Sequence, residues 1–201
     1  MRSAGLDRAT VVAAAVDLAA AEGFENLSMR RLATTLDVTP MALYRHLPNK
    51  EALLDLVVDE ALRALPTVDP SGDLIAEVRS CFGAMYRLAV EQPGLAAAMA
   101  ARPLEGEVAR HLGERVLVLA QRHSFGDAEA AEFLTALFGL TLGSALYRSS
   151  REHRESRLAE AGDDTPTVKK LRKAITSAGA RDSQFLNALE RLSAGYLLTV
   201  K

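Results

Sequence analysis

The chain has 201 residues, 49% of them hydrophobic and 25% charged, which is enough apolar material to bury a core in one large or two small domains and too much for a disordered chain. Its formal net charge of -2 lacks the basic excess that usually marks a nucleic-acid partner. The single cysteine, Cys81, excludes an internal disulfide and the cysteine-rich zinc modules, and fits a reducing compartment.

Apolar residues recur at helical spacing almost throughout, without the alternating pattern of strands, so an all-α fold is expected. Asp7 is placed to cap a first helix running to about Glu22, with Val12, Val16 and Ala19 sharing a face and Gly23 marking its end. Ser28 caps a second helix whose Met29, Leu32, Ala33 and Leu36 face inward. Thr39 caps a third over 39–46, with Pro40 at the first helical position, where its missing N–H costs nothing. Asn49 opens a fourth helix reaching about Leu65 and ended by Pro66.

The stretch 66–72, with two prolines, a glycine and a serine, is the best candidate boundary between domains. Beyond it the spacing predicts helices near 73–91, 94–101, 105–123, 127–155, 167–178 and 182–200, with a polar, acidic and mobile loop over 157–166. The division expected is 1–48 for a first domain, 49–66 for a linking helix and 67–201 for a second domain. The N-terminus lacks the basic-then-apolar pattern of a signal peptide, and the longest charge-free stretch, Phe133 to Tyr147, is shorter than the roughly 18 residues a membrane span needs, so a soluble, cytoplasmic protein is expected.

Residues 28–50 read as two short helices joined by a tight turn and followed by a third helix start, the layout of a helix-turn-helix DNA reader. Such a reader needs a short second helix with an apolar underside and small or polar residues outward. Ala42, Leu43 and Leu47 supply the underside, leaving Thr39, Pro40, Met41, Tyr44, Arg45 and His46 variously exposed. Tyr44 and His46 can donate to phosphates, Arg45 can reach a phosphate or a guanine, and Pro40 or Met41 can meet a thymine methyl. Lys50 offers an ammonium beside the open N–H groups of a helix start. Residues 1–50 hold six Lys/Arg against five acids, a net of +1, so affinity has to come from well-placed cations and from dimerisation doubling the contacts.

The run Phe24…Leu27-Ser28…Arg31-Leu32-Ala33…Leu36…Val38-Thr39…Leu43-Tyr44-Arg45-His46-Leu47…Asn49-Lys50-Glu51-Ala52-Leu53-Leu54 resembles the N-terminal domain of the TetR (tetracycline repressor) family. The resemblance implies a three-helix DNA-binding domain, a fourth helix linking it onward, and a helical effector-binding and dimerisation domain. It places Arg30 where the family reads a guanine and Thr39, Pro40, Met41 and Ala42 along the base-facing stretch. Ser28, Tyr44, His46 and Lys50 match phosphate-facing positions, and Met29 is counted with the same set. Many members carry Gly in the turn where this chain has Asp37, which tolerates the left-handed conformation at slight cost.

The similarity continues more faintly in Gln92-Pro93-Gly94…Arg102-Pro103, in Thr141-Leu142-Gly143 and over 165–196. Where the tetracycline-responsive branch holds its metal and drug, this chain has Pro66, Ser80, Ala84 and Ala98, so a metal–tetracycline complex is not the expected effector. Neither a metal nor a cofactor is expected. An apolar pocket could be lined by Phe82, Met85, Met99, Leu117, Phe133, Leu137 and Phe138, with Tyr86, His111 or His123 as a polar anchor; the same residues could equally be plain core. His111 and His123 stand twelve residues apart, too far to share a metal.

Ala136, Gly139, Gly143, Ser144 and Ala145 would let a second helix approach closely, and Phe185, Leu186, Leu189, Leu192, Tyr196 and Leu197 on the last helix are the partners expected. In the family two such helices from each subunit make a four-helix dimer interface, matching a near-palindromic operator. The alternative is a core within one subunit. Arg148, Arg151, Arg154 and Arg157, recurring at threes among Glu152 and Glu155, suggest a solvated helix extension. Together these features predict a homodimeric DNA-binding regulator, a repressor released by a small apolar effector, and not an enzyme. The rivals are a helical enzyme built on the four histidines with Asp163 and Asp164, and an interaction module that keeps the fold without binding DNA.

Overall fold

The computed structural model describes residues 6–92, 94–101, 105–158, 170 and 182–200, with side chains left aside at 151–158. Among the described residues there are nine α-helices and no strand. They are α1 (Arg8–Glu22), α2 (Met29–Thr35), α3 (Pro40–Tyr44), α4 (Lys50–Leu62), α5 (Leu74–Glu91), α6 (Leu95–Ala100), α7 (Glu107–Arg122), α8 (Asp127–Leu158) and α9 (Asp182–Thr199), with a single 3-10 turn at Phe24–Asn26.

Each of the four expected caps forms. The Thr10 N–H donates to Asp7 Oδ1 at 2.7 Å, that of Arg31 to Ser28 Oγ at 3.2 Å, that of Ala42 to Thr39 Oγ1 at 3.3 Å and that of Ala52 to Asn49 Oδ1 at 2.8 Å. A side-chain oxygen thus meets an N–H that the first turn of a helix leaves open. Gly23 closes α1 at φ 86°, donating to the Ala19 carbonyl at 2.9 Å. α4 ends at Leu62, not Leu65, because Arg63, Ala64 and Leu65 turn back on Glu60, Ala61 and Leu62 through tighter bonds before Pro66 is reached.

By density of contacts the chain forms two compact units, one of Met1–Leu65 with Gln92–Leu112 and one of Pro66–Glu91 with Gly113–Lys201. In the first, α4 packs on both α1 and α6. Its core contains Val11, Leu18, Phe24, Leu27, Leu32, Leu43, Leu47, Leu53 and Val57. The buried face of α1 is Val11, Ala15, Leu18 and Ala19, one position earlier than the Val12–Val16 face expected. Val12 and Val16 are half-buried because they line a cleft described below.

In the second unit α5, α8 and α9 pack together around Phe82, Met85, Phe133, Leu137, Phe185 and Leu189. Tyr86 stacks on Phe185 at 4.2 Å, Phe82 meets Phe138 edge-on at 5.4 Å, and Phe133 lies 5.1 Å from Tyr196. Such aromatic pairs stabilise a core beyond the area they bury. Arg148 is only partly exposed, and its guanidinium donates to Asp182 and to the Tyr86 hydroxyl at 3.3 Å. These bonds raise its affinity for the proton, so the solvated role expected for Arg148 is corrected; Arg151, Arg154 and Arg157 lie outside the described side chains. Burial pushes the Cys81 thiol up to about 12, which leaves it protonated and unreactive.

The stretch expected as a boundary is anchored within the second unit. Val68 is buried, its carbonyl accepts from Arg115 Nε, and Gly72 O lies 3.2 Å from the His123 ring. Within α8, Asp127–Ser150 is long and apolar enough by length and composition to cross a membrane, which the charge-free count had put out of reach. Ala130, Phe133, Leu137, Thr141, Leu142 and Ala145 on that helix are buried in the unit. Most of the loop at 157–166 and the helix at 167–178 lie outside the described residues.

Candidate nucleic-acid interface

α2 and α3 are joined by a turn in which Asp37 adopts φ 53°, the left-handed conformation expected of it. The turn is closed by the Asp37 N–H on Thr34 O at 3.2 Å and the Val38 N–H on Ala33 O at 3.0 Å. Beneath it α2 contributes Leu32 and Ala33, and α3 contributes Leu43, all buried. Because α3 spans only five residues and has one buried position, most of its surface is left to solvent.

On that surface Met41 is 71% exposed and Tyr44 47%, while Thr39, Pro40, Arg45 and Lys50 are also exposed. Ala42, Ser28 and His46 are half-buried. The Ser28 and Thr39 hydroxyls accept the capping bonds and keep their own hydrogens for a phosphate oxygen. Met29 is 6% exposed and packs into the core, so its inclusion in the DNA-facing set is corrected: its side chain supports α2 from beneath. His46 also turns toward α1, where its charge helps the Thr10 bonds hold the Asp7 carboxyl below its usual range.

The two arginines of α2 divide. Arg31 is drawn back onto Glu22 of α1, with its Nε 2.9 Å from Oε2, and the pair lowers the Glu22 carboxyl while raising the guanidinium. Arg30 is exposed and makes no ion pair among the described residues. The cation available to an incoming partner at this end of α2 is therefore Arg30.

The residues expected to line an effector pocket fall in both units. Phe82, Met85, Tyr86, Phe133 and Leu137 are buried in the second, where Leu117, His123 and Phe138 are half-buried. Met99, buried, and His111, exposed, belong to the first. No group of three or more metal-ligating side chains occurs among the described residues.

A cleft of about 1080 Å³ does open in the first unit, bordered by Val12 and Val16 of α1, by His46, by Asp59 of α4, by Arg63 just beyond it, and by Gly106. Asp59 is the feature that sequence reasoning missed. It is 7% exposed, and its carboxylate accepts from the N–H groups of Val108 at 3.2 Å and Ala109 at 3.0 Å. The available signal was a carboxylate set in the apolar run Val57-Val58 of a helix, which needs buried partners from elsewhere in the chain.

A helix-turn-helix followed by a longer helical unit defines the class of all-α regulators with a separate N-terminal reading head. Residues 11–57 match the tetR family of bacterial regulatory proteins, and residues 65–199 match the tetracyclin repressor-like C-terminal domain. The chain belongs to the tetR family. It is 36% identical over 179 residues to the HTH-type transcriptional repressor DrrR1 of Streptomyces coeruleorubidus, an alignment covering 86% of this chain and 64% of that one. The chain thus spans rather less than two-thirds of that relative. Its fold is similar to that of ActR from Streptomyces coelicolor in complex with actinorhodin, with TM-score 0.82, 27% identity and 98% of both chains covered. It also resembles BioQ with its double-stranded DNA operator, with TM-score 0.65, 28% identity, and 77% of this chain and 94% of that one covered.

Proposed function

We propose that this chain is a sequence-specific DNA-binding transcriptional repressor that acts in the cytoplasm as a homodimer and is released by a small apolar effector. One observation carries the reading. α3 buries Leu43 while holding Met41 and Tyr44 out to solvent, and Arg30 on the preceding helix is exposed with no ion pair among the described residues. A helix packed only on its underside and ringed by donors and methyl groups suits the major groove. In this reading Arg30 and Thr39 to Ala42 select sequence, and Ser28, Tyr44, Arg45, His46 and Lys50 grip phosphates.

Residues 1–48 form the reading head, α4 within 49–66 links it onward, and 67–201 binds the effector and pairs with a second copy. The partner surface proposed is the stripe of small residues on α8 and α9. A side chain at Gly139, Gly143 or Gly195 would meet nothing within 4 Å, and Leu198, one turn after Gly195 on α9, is 86% exposed. Phe185 and Leu189, expected at that interface, are core within the unit instead, because α9 turns them onto α5 and α8. The effector would enter among Leu117, His123 and Phe138, with Phe82, Met85, Tyr86, Phe133 and Leu137 as walls. ActR, seen in complex with actinorhodin, and the repressor DrrR1 support a reading of this kind.

A footprint of the purified protein on DNA upstream of its own coding sequence tests the proposal. Protection of a near-palindrome, weakening steeply with salt, is the expected result. Absence of any salt-sensitive protection would refute it and leave the interaction-module reading.

A further inference from the structure

α7 starts at Glu107, directly after Gly106, which has no side chain to cap it. Its first-turn N–H groups, at Val108 and Ala109, are taken instead by Asp59, 49 and 50 residues earlier in the chain. This is N-cap chemistry supplied across the fold: a carboxylate accepting the N–H groups at the second and third helical positions, where the helix dipole favours negative charge. The fit is close. A Cβ on Gly106 would stand 2.2 Å from Asp59 Oδ1 and 2.4 Å from its Cγ, so any side chain at 106 would expel the carboxylate.

The charge at 59 does not follow from packing. One turn further along α4 Leu62 is apolar and buried, and an apolar residue at 59 would avoid the cost of burying a carboxylate. What the carboxylate adds is direction, because it bonds only while α4 and the first turn of α7 keep one relative position. Beyond that turn α7 continues unbroken to Arg122, past the division between the two units at Leu112–Gly113. At the other end α4 begins at Lys50, directly after the Leu47-Pro48-Asn49 exit from the recognition helix. Its thirteen residues make a lever of roughly 20 Å between the two.

We infer that Asp59, seated against Gly106, is a positioning residue for DNA reading: it ties α4 to the start of α7, and the integrity of this tie sets the affinity of the reading head for its operator. The inference rests on the proposed DNA-binding function and adds to it the pair of residues that holds the reading head in register.

The test uses the full-length protein with the duplex found by footprinting, and measures operator affinity by fluorescence anisotropy and backbone amide exchange by mass spectrometry. Asp59→Ala and Gly106→Ala are expected to speed exchange in the first turn of α7 at least tenfold, to leave α2 and α3 protected as before, and to weaken operator binding at least fivefold. Asp59→Asn, whose single amide oxygen can still accept one of the two N–H groups, should recover part of both. Val57→Ala, which loosens the same core without touching the cap, should lower the melting temperature and leave affinity at 25 °C within twofold. If Asp59→Ala does not fold, Gly106→Ala and Asp59→Asn carry the test. Faster α7 exchange with unchanged operator affinity would overturn the inference, as would an affinity loss that Asp59→Asn shares in full or Val57→Ala reproduces. Failure of the unaltered protein to bind any duplex would instead overturn the proposed function on which the inference rests.

Discussion

Arg30 and Arg31 are adjacent, identical and both exposed, yet Arg31 is held by Glu22 while Arg30 makes no ion pair among the described residues. The resemblance could place Arg30 on the reading face, but composition could not, because the distinction depends on where the end of α1 lies against α2. Arg30→Ala should therefore relax base choice at one operator position, at a cost of about 1–3 kcal/mol for the preferred sequence. Lys50→Ala should weaken all sequences alike and lower the slope of log affinity against log salt by about 1. Binding measured against single-position operator variants at several salt concentrations separates the two roles, and identical behaviour would refute the assignment. The Glu22–Arg31 pair carries its own signature. Because the folded-state Glu22 carboxyl lies below its ordinary value, the stabilisation is complete above that value and is lost as pH falls through the depressed one. A carboxyl titration by NMR should find Glu22 lower in the folded protein than after Arg31→Gln, with no change in the pair's contribution between pH 6 and 8.

Helix starts were almost fully readable, since a cap is a local event: Asp7, Ser28, Thr39 and Asn49 each bond an N–H three residues on. Ends were less so. α4 stops at Leu62 because its last residues tighten into turns, a choice made by the packing of Leu62 and not by Pro66 four residues later. The reading of α1 slipped by one position because Val11 and Val12 are equally apolar, and only the cleft beside α4 decides which is covered. The turn at Asp37 allows a direct check. Asp37→Gly should change stability by less than about 0.5 kcal/mol, since relief of the left-handed φ offsets greater freedom in the unfolded chain. Asp37→Val, β-branched at positive φ, should cost about 1–2 kcal/mol in a urea melt and weaken operator binding with it.

Two compact units and a stripe of small residues make up the molecule as a regulator, and the proposed dimer belongs to this level. Gly143→Arg places a charge where a Cβ meets no neighbour, so the subunit should keep its helical circular dichroism and melting temperature while sedimenting as a monomer and losing most operator affinity. An unchanged sedimentation coefficient would remove α8 from the interface. By itself the sequence determined the all-α class, the capped helix starts, the reading head and the family, because each is written in short-range spacing or in a contiguous motif. Tertiary structure alone decided that the Met29 side chain packs into the core, that Arg148 is half-buried against Tyr86 and Asp182, that Phe185 is core, and that Asp59 caps α7. In each of these cases the partner lies on another helix, 34 to 62 residues away where the bonds are recorded, and local periodicity holds no information about which distant backbone will meet a given side chain.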